Sequence, residues 1–201
     1  MKLKLLGYQE VHGNYVHPTA TVYWDKIDIG IGNVIYPNVC IGTEPQHLRE
    51  EGQGIVEIGD NNIFRENVVV TLPTKATKKT KIGNNNYLMS SCIIHHDCVL
   101  EDNITVSNHC SLSGHVHVMK GAVLGLNVNV HQFQVIGSYS MLGMGTVVVP
   151  KNKIVPGKVF VGTPARILKS NRVGIQRNNV TEEDLQFELE RYTNIYEEMR
   201  K

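Results

Sequence analysis

Apolar residues recur at every sixth position through the second half of the chain. From Ile82 the series runs Leu88, Ile94, Leu100, Val106, Leu112, Val118, Leu124, Val130, Ile136, Leu142, Val148, Ile154 and Phe160 without a gap. Aliphatic residues fill roughly a quarter of an ordinary chain, so a run of this length is not chance. An amphipathic helix repeats at 3.6 and a half-buried strand at 2, and neither fits. A period of six predicts short flat strands, three to a triangular coil of about eighteen residues, each sending one aliphatic side chain inward. Successive coils then pair in parallel, about 4.8 Å apart. The fourth residue after each repeat position is usually small or modest, as at Cys92, Cys98, Val116, Ala122, Ser140 and Thr146. Gly and Asn gather at the expected corners, as in Gly83-Asn84-Asn85-Asn86, where unusual backbone angles are needed. The class is an all-β solenoid.

The same register appears earlier at Ile29, Ile35 and Ile41, and again at Ile58, Phe64 and Val70. Two loops interrupt it, near residues 43–55 and 72–80, and interruptions in a solenoid project from one edge, where they shape a site. The repeat ends near Phe160-Val161-Gly162, which divides the chain into a β-helix domain at 1–162 and a tail at 163–201. In the tail, Thr181-Glu182-Glu183-Asp184 reads as a capping box. Leu185, Leu189, Tyr192, Ile195 or Tyr196, and Met199 then form the stripe of one amphipathic helix, packing on its own β-helix or on a neighbouring subunit.

Charge narrows the function. Lys plus Arg number 20 against 19 for Asp plus Glu, which argues against a nucleic-acid partner. No apolar run is long enough to span a membrane, and Met1 to Gly7 is too short for a secretory signal, so a cytoplasmic location is expected. Cys40, Cys92, Cys98 and Cys110 follow no CxxC spacing and read as reduced packing residues. A disulfide between the stacked neighbours Cys92 and Cys110 is the minority alternative.

The coil length also groups the histidines. His95, Ser113 and His131 fall eighteen residues apart and stack in one column. His96, Gly114 and Gln132 form the next column, and Asp97, His115 and Phe133 the one after. Polar groups of three coils therefore converge on one patch. His96 is the candidate general base, since free imidazole titrates near pH 6.5 and accepts a proton at neutral pH. Asp97 can orient it only at a corner, because adjacent strand residues point to opposite faces. Zinc is the rival use of clustered histidines, but it needs ligands meeting tetrahedrally, and columns form a wall. No metal is expected.

These residues resemble a known family. Val16-His17-Pro18-Thr19-Ala20, the His96-Asp97-Cys98 segment, Ser113-Gly114-His115-Val116, Val130-His131-Gln132-Phe133 and Asn171-Arg172-Val173-Gly174-Ile175-Gln176-Arg177 are similar to signatures of the UDP-N-acetylglucosamine O-acyltransferases. These are left-handed β-helix enzymes that work as trimers and begin lipid A synthesis. The likeness is collinear from about residue 16 to 200. It implies a left-handed coil, a homotrimer with sites between subunits, a nucleotide-sugar acceptor, and an acyl carrier protein or coenzyme A thioester as co-substrate, with no cofactor. It also implies His96 and Asp97 as catalytic residues and the Gly114 N–H facing an oxyanion. His47, Arg49, His115, His131 and Gln132 would line the donor and acceptor sites, Asn171 and Arg177 would hold the nucleotide, and Met144 would limit acyl length. His95, His109 and His117 have no counterpart and read as surface residues.

The sequence departs from the family in places. His47 stands where the family usually has an aspartate, Val70-Thr71-Leu72-Pro73 lacks a His-Arg-Gly, Asn178 replaces a second arginine, and the C-terminal helical region is shorter. The acceptor sugar and the carrier therefore stay open. Lys75, Lys78, Lys79 and Lys81 could meet an acidic carrier protein or a coenzyme A phosphate, or simply be solvated. Two other functions remain. One is an acetyl-CoA-dependent N-acetyltransferase of a nucleotide-linked amino sugar for surface polysaccharide, and the other is a non-catalytic β-helix scaffold. No serine or cysteine stands beside a base in a nucleophile motif, and Cys98 has interior spacing.

Overall fold

The computed structural model describes residues 7–200, so the segment weighed as a signal lies, apart from Gly7, outside the described residues. The fourteen repeat positions are all interior, none more than 2 % exposed. They build three faces of a prism. Leu88, Val106, Leu124, Leu142 and Phe160 pair in register on the first face. Ile94, Leu112, Val130 and Val148 do so on the second. Ile82, Leu100, Val118 and Ile136 complete the third. The faces are sheets of ten, seven and six strands. Pairing is parallel except at the ends, where Gln9–Val11 and Arg166–Ser170 fold back on their neighbours. All four cysteines are free thiols, so Cys92 and Cys110 are not joined.

The chain turns each corner through a residue in the left-handed region. One corner column reads Asn85, Asn103, Gly121, Tyr139 and Gly157, and another Ser91, His109, Asn127 and Gly145. Gly and Asn tolerate this conformation best, which explains their clustering. The corner between the second and third faces is different. There Asp97, His115 and Phe133 take φ of 61°, 61° and 58°. Such residues cost roughly 1–2 kcal/mol each over the right-handed region, and a bulky column of them is the kind of strain that collects at functional sites.

Inside the N-terminal coils, the asparagines do more than turn corners. Asn14, Asn33, Asn62 and Asn86 are buried in one column. The Asn14 side-chain oxygen accepts from the Asn33 backbone N–H at 2.8 Å, Asn33 from Asn62 at 2.8 Å, and Asn62 from Asn86 at 2.8 Å. The last rung, the Asn86 oxygen, accepts from Ile104 at 2.8 Å.

The tail holds two helices rather than one, α1 (Arg172–Arg177) and α2 (Glu182–Glu198). The expected capping box starts α2, with reciprocal bonds between Thr181 and Asp184. Tyr192 lies buried on Met119 and Val135, so α2 covers the third face of its own prism. Its buried Glu188 binds Lys120 and Arg191, each at 2.8 Å. Arg191 also holds Glu101 at 2.8 Å, and His117 reaches the same carboxylate at 2.9 Å. His117 is therefore a half-buried partner of an ion network, which corrects its reading as a surface residue. Burial alone would raise the Glu101 carboxyl, but bonds from His117 and Arg191 outweigh it and bring it to about 2.

Candidate active site

Both interruptions of the repeat leave the prism at the strained corner. The first loop joins Cys40–Thr43 on the second face to Ile55–Ile58 on the third, and the second joins Val69–Thr71 to Lys79–Ile82. They are tied to each other by Gln53 N–H on the Pro73 carbonyl at 2.8 Å and by Lys75 on Glu50 at 3.3 Å. Three of the four lysines noted above are paired here, since Lys79 and Lys81 both hold Glu57.

His96 is 8 % exposed, with Nδ1 at 2.8 Å from Asp97 Oδ2. The contact exists because Asp97 occupies the left-handed corner, which swings its side chain back over that of its neighbour. The His115 chain packs above, its N–H bonded to the His96 carbonyl at 3.0 Å. The rings form a file: His47 lies edge-on to His96 at 5.6 Å, His96 edge-on to His115 at 5.4 Å, and His115 stacks on Phe133 at 4.5 Å. Burial depresses the His115 imidazole more than the facing Asp97 carboxylate raises it.

Gly114 lies directly across the His96 ring. A Cβ there would sit 2.3 Å from Cε1 and 2.7 Å from Nε2 of His96. The close approach expected at this glycine is thus made first by the imidazole. Among the described residues nothing accepts the Gly114 N–H.

Three threonines complete the site, Thr74 and Thr77 from the second loop and Thr80 from the strand that follows it, and sequence reading missed them. Thr74 donates its hydroxyl to Asp97 Oδ2 at 2.8 Å and its N–H at 3.2 Å, while Thr77 donates to Oδ1. Thr80 accepts from the Asp97 N–H at 3.0 Å. Burial pushes the Asp97 carboxyl up, but the bonds from Thr77, Thr74 and His96 prevail and hold it below the usual aspartate range. The available signal was a threonine at every third position, 71, 74, 77 and 80. The first loop also brings in Glu50, whose Oε2 is buried without a partner.

The other candidates scatter. His131 and Gln132 are exposed on the same edge, one coil above Ser113 and Gly114, beside a cavity of about 200 Å³ lined by Ser111, Ser113, Asn129 and Val147. Arg49 is exposed, its N–H on the His47 imidazole at 3.3 Å. Met144 is 73 % exposed and shares a column with Leu126 on the opposite edge of the second face, away from His96 within one protomer. Asn171 is buried, caps α1 by accepting from Gly174 N–H, and donates to the Tyr139 carbonyl at 2.8 Å. Its amide builds the tail, leaving Arg177 as the exposed member of the pair. His95 is half-buried rather than superficial, with its imidazole depressed by burial and by His96. Burial raises the Cys98 thiol to about 12, an inert packing residue. His96, Asp97 and His115 bring ligand atoms within 4.8 Å of one another. His96 Nδ1 and Asp97 Oδ2 are hydrogen-bonded to each other, and His115 Nε2 stands 3.6 Å from the same carboxylate oxygen.

The chain is 36 % identical to the acyl-[acyl-carrier-protein]–UDP-N-acetylglucosamine O-acyltransferase of Gloeothece citriformis, over 79 % of this chain and 57 % of that protein. It is 32 % identical to the enzyme of the same name from Agrobacterium fabrum, over 91 % and 72 %. The crystal structure of a UDP-N-acetylglucosamine acyltransferase from Bacteroides fragilis superimposes with a TM-score of 0.80 at 31 % identity, covering 92 % of this chain and 71 % of that one. The fold is thus the left-handed parallel β-helix. No family model matches the chain. It spans about 60 % of the length of the first curated relatives, at 57 % and 61 %.

Proposed function

The chain belongs to the UDP-N-acetylglucosamine O-acyltransferase family, and from that footing we propose that it moves an acyl group from an acyl carrier protein thioester to a hydroxyl of UDP-N-acetylglucosamine. The observation that carries the reading is the His96–Asp97 pair, shielded at a strained corner beside the Gly114 N–H. His96 takes the proton as the sugar oxygen attacks the thioester carbon. The new C–O bond leaves an oxyanion, which the Gly114 N–H stabilises. The C–S bond then breaks, and His96 returns the proton to the sulfur. The thioester supplies the activated acyl group, so the reaction asks for no resident cofactor. His47, Arg49, His115, His131, Gln132 and Arg177 line the route of the two substrates. The test is thiol release from acyl carrier protein or coenzyme A donors in the presence of UDP-N-acetylglucosamine. Release that is independent of the sugar, or absent with every donor, overturns the reading.

A homotrimer belongs to the same proposal. Two outward positions on the first face, Ile63 and Met141, are apolar and 36 % and 38 % exposed, and Leu126 and Met144 project from its edge. A second prism laid there would bring Met144 opposite a neighbour's His96, which one protomer alone does not do. Light scattering is expected to give three times the chain mass, and a fully active monomer would exclude the arrangement. With Met144 closing that cleft, donors of about ten carbons or fewer are favoured, because overpacking costs roughly 1–3 kcal/mol, about ten- to a hundredfold. Met144→Gly is expected to gain activity on longer donors by that factor. An unchanged chain-length profile would show that Met144 does not measure the chain.

A further inference from the structure

The most heavily hydrogen-bonded side chain of the site is not the base but its neighbour. Asp97 receives the Thr74 hydroxyl and His96 Nδ1 on Oδ2, the Thr77 hydroxyl on Oδ1, and the Thr74 N–H between the two oxygens at 3.2 and 3.3 Å. The Thr77 hydroxyl also has the Lys79 carbonyl in reach at 2.9 Å. Its proton goes to the carboxylate, since a bond to a charged acceptor is about twice as strong as one to a neutral one. Both oxygens are then filled by donors, and the buried carboxylate has no place for a proton of its own. Whatever faces it must donate.

We propose that Thr74 and Thr77 are positioning residues that act through Asp97 on His96, fixing the tautomer in which Nδ1 carries the proton and Nε2 is left to accept one. Neutral imidazole has one N–H and one bare nitrogen, and the partner of one nitrogen decides the state of the other. Nδ1 meets an acceptor-only carboxylate, so the bare nitrogen is Nε2, on the side where the ring crosses Gly114. The threonines have a second effect: each hydroxyl that solvates Asp97 weakens its pull on His96. The inference rests on the reading of His96 as the base, but its first test does not depend on turnover.

The remaining titratable groups around His96 are His95 beside it, His47 from the first loop and His115 from the next coil, with Glu50 and Lys75 farther out. Thr→Val substitutions leave all of them in place. Nitrogen-15 NMR of the imidazoles in the wild-type protein should show His96 with a protonated Nδ1 and a bare Nε2. The opposite tautomer overturns the inference, whether or not the protein turns over. In the Thr74→Val/Thr77→Val variant Asp97 is less solvated and holds the imidazolium more firmly. The acid limb of the kcat/KM profile is therefore expected to rise by about half a pH unit or more, the size of a lost hydrogen bond. Thr77→Ser, which keeps the hydroxyl, is expected to retain the wild-type profile. A loss of rate with no movement of the limb, or a limb that moves down, would make the threonines mere scaffolding. If the wild type transfers no acyl group, the proposed function fails while the tautomer measurement still decides this point.

Discussion

His96→Ala is expected to lower turnover by at least about a hundredfold, the lower size of a general-base contribution, while the protein remains folded. The ring is nearly buried, but it is not part of the interior column, which is filled by Ile94 below and Leu100 beyond. Its removal takes one donor from Asp97 and leaves the threonine bonds in place. The stability loss should stay near that of one charged hydrogen bond, about 1.5–3 kcal/mol, and the thermal midpoint should fall by only several degrees. Thiol release and a melting curve on the same preparation check both halves. Near-normal turnover would remove His96 from the chemistry, and a collapsed fold would make it a structural histidine.

Gly114→Ala should be as damaging, for a different reason. The glycine has an ordinary φ, so its backbone accepts alanine, but the new methyl would lie 2.3–2.9 Å from three atoms of the His96 ring. The ring has to move. A displacement near 1 Å at a reacting group is enough for about a hundredfold loss. The two substitutions should be strongly non-additive, since His96→Ala removes the ring that the methyl strikes. In that background Gly114→Ala is expected to change neither residual rate nor melting midpoint appreciably. A single Gly114→Ala variant with normal kcat would show that the ring relocates harmlessly.

What could be read from the sequence was whatever the six-residue period controls. The fourteen interior positions, the corner asparagines and glycines, and the columns of His96 with Gly114 and Asp97 with His115 follow from counting, because each coil repeats the same angles. Thr74, Thr77 and Glu50 lie in the two insertions, where register is lost and no count says which way a side chain turns. His117 was misjudged because the tail covers it, and the sequence does not say which face a tail will choose. Asn86 belongs to the run read as a corner in the sequence, yet it is buried and bonded from coil to coil.

That column of amides makes the two ends of the prism unequal. In the lower coils a shift of one residue strands a buried amide, at about 1–3 kcal/mol for each. Above Asn86 the same column continues as Ile104, Ala122 and Ser140, where alignment depends on shape alone. A solenoid can begin folding at any repeat and propagate from there. Here the coils that leave the ribosome first are the ones that check their own alignment. Each later turn is laid on a template already proofread, like courses of brick on a levelled footing.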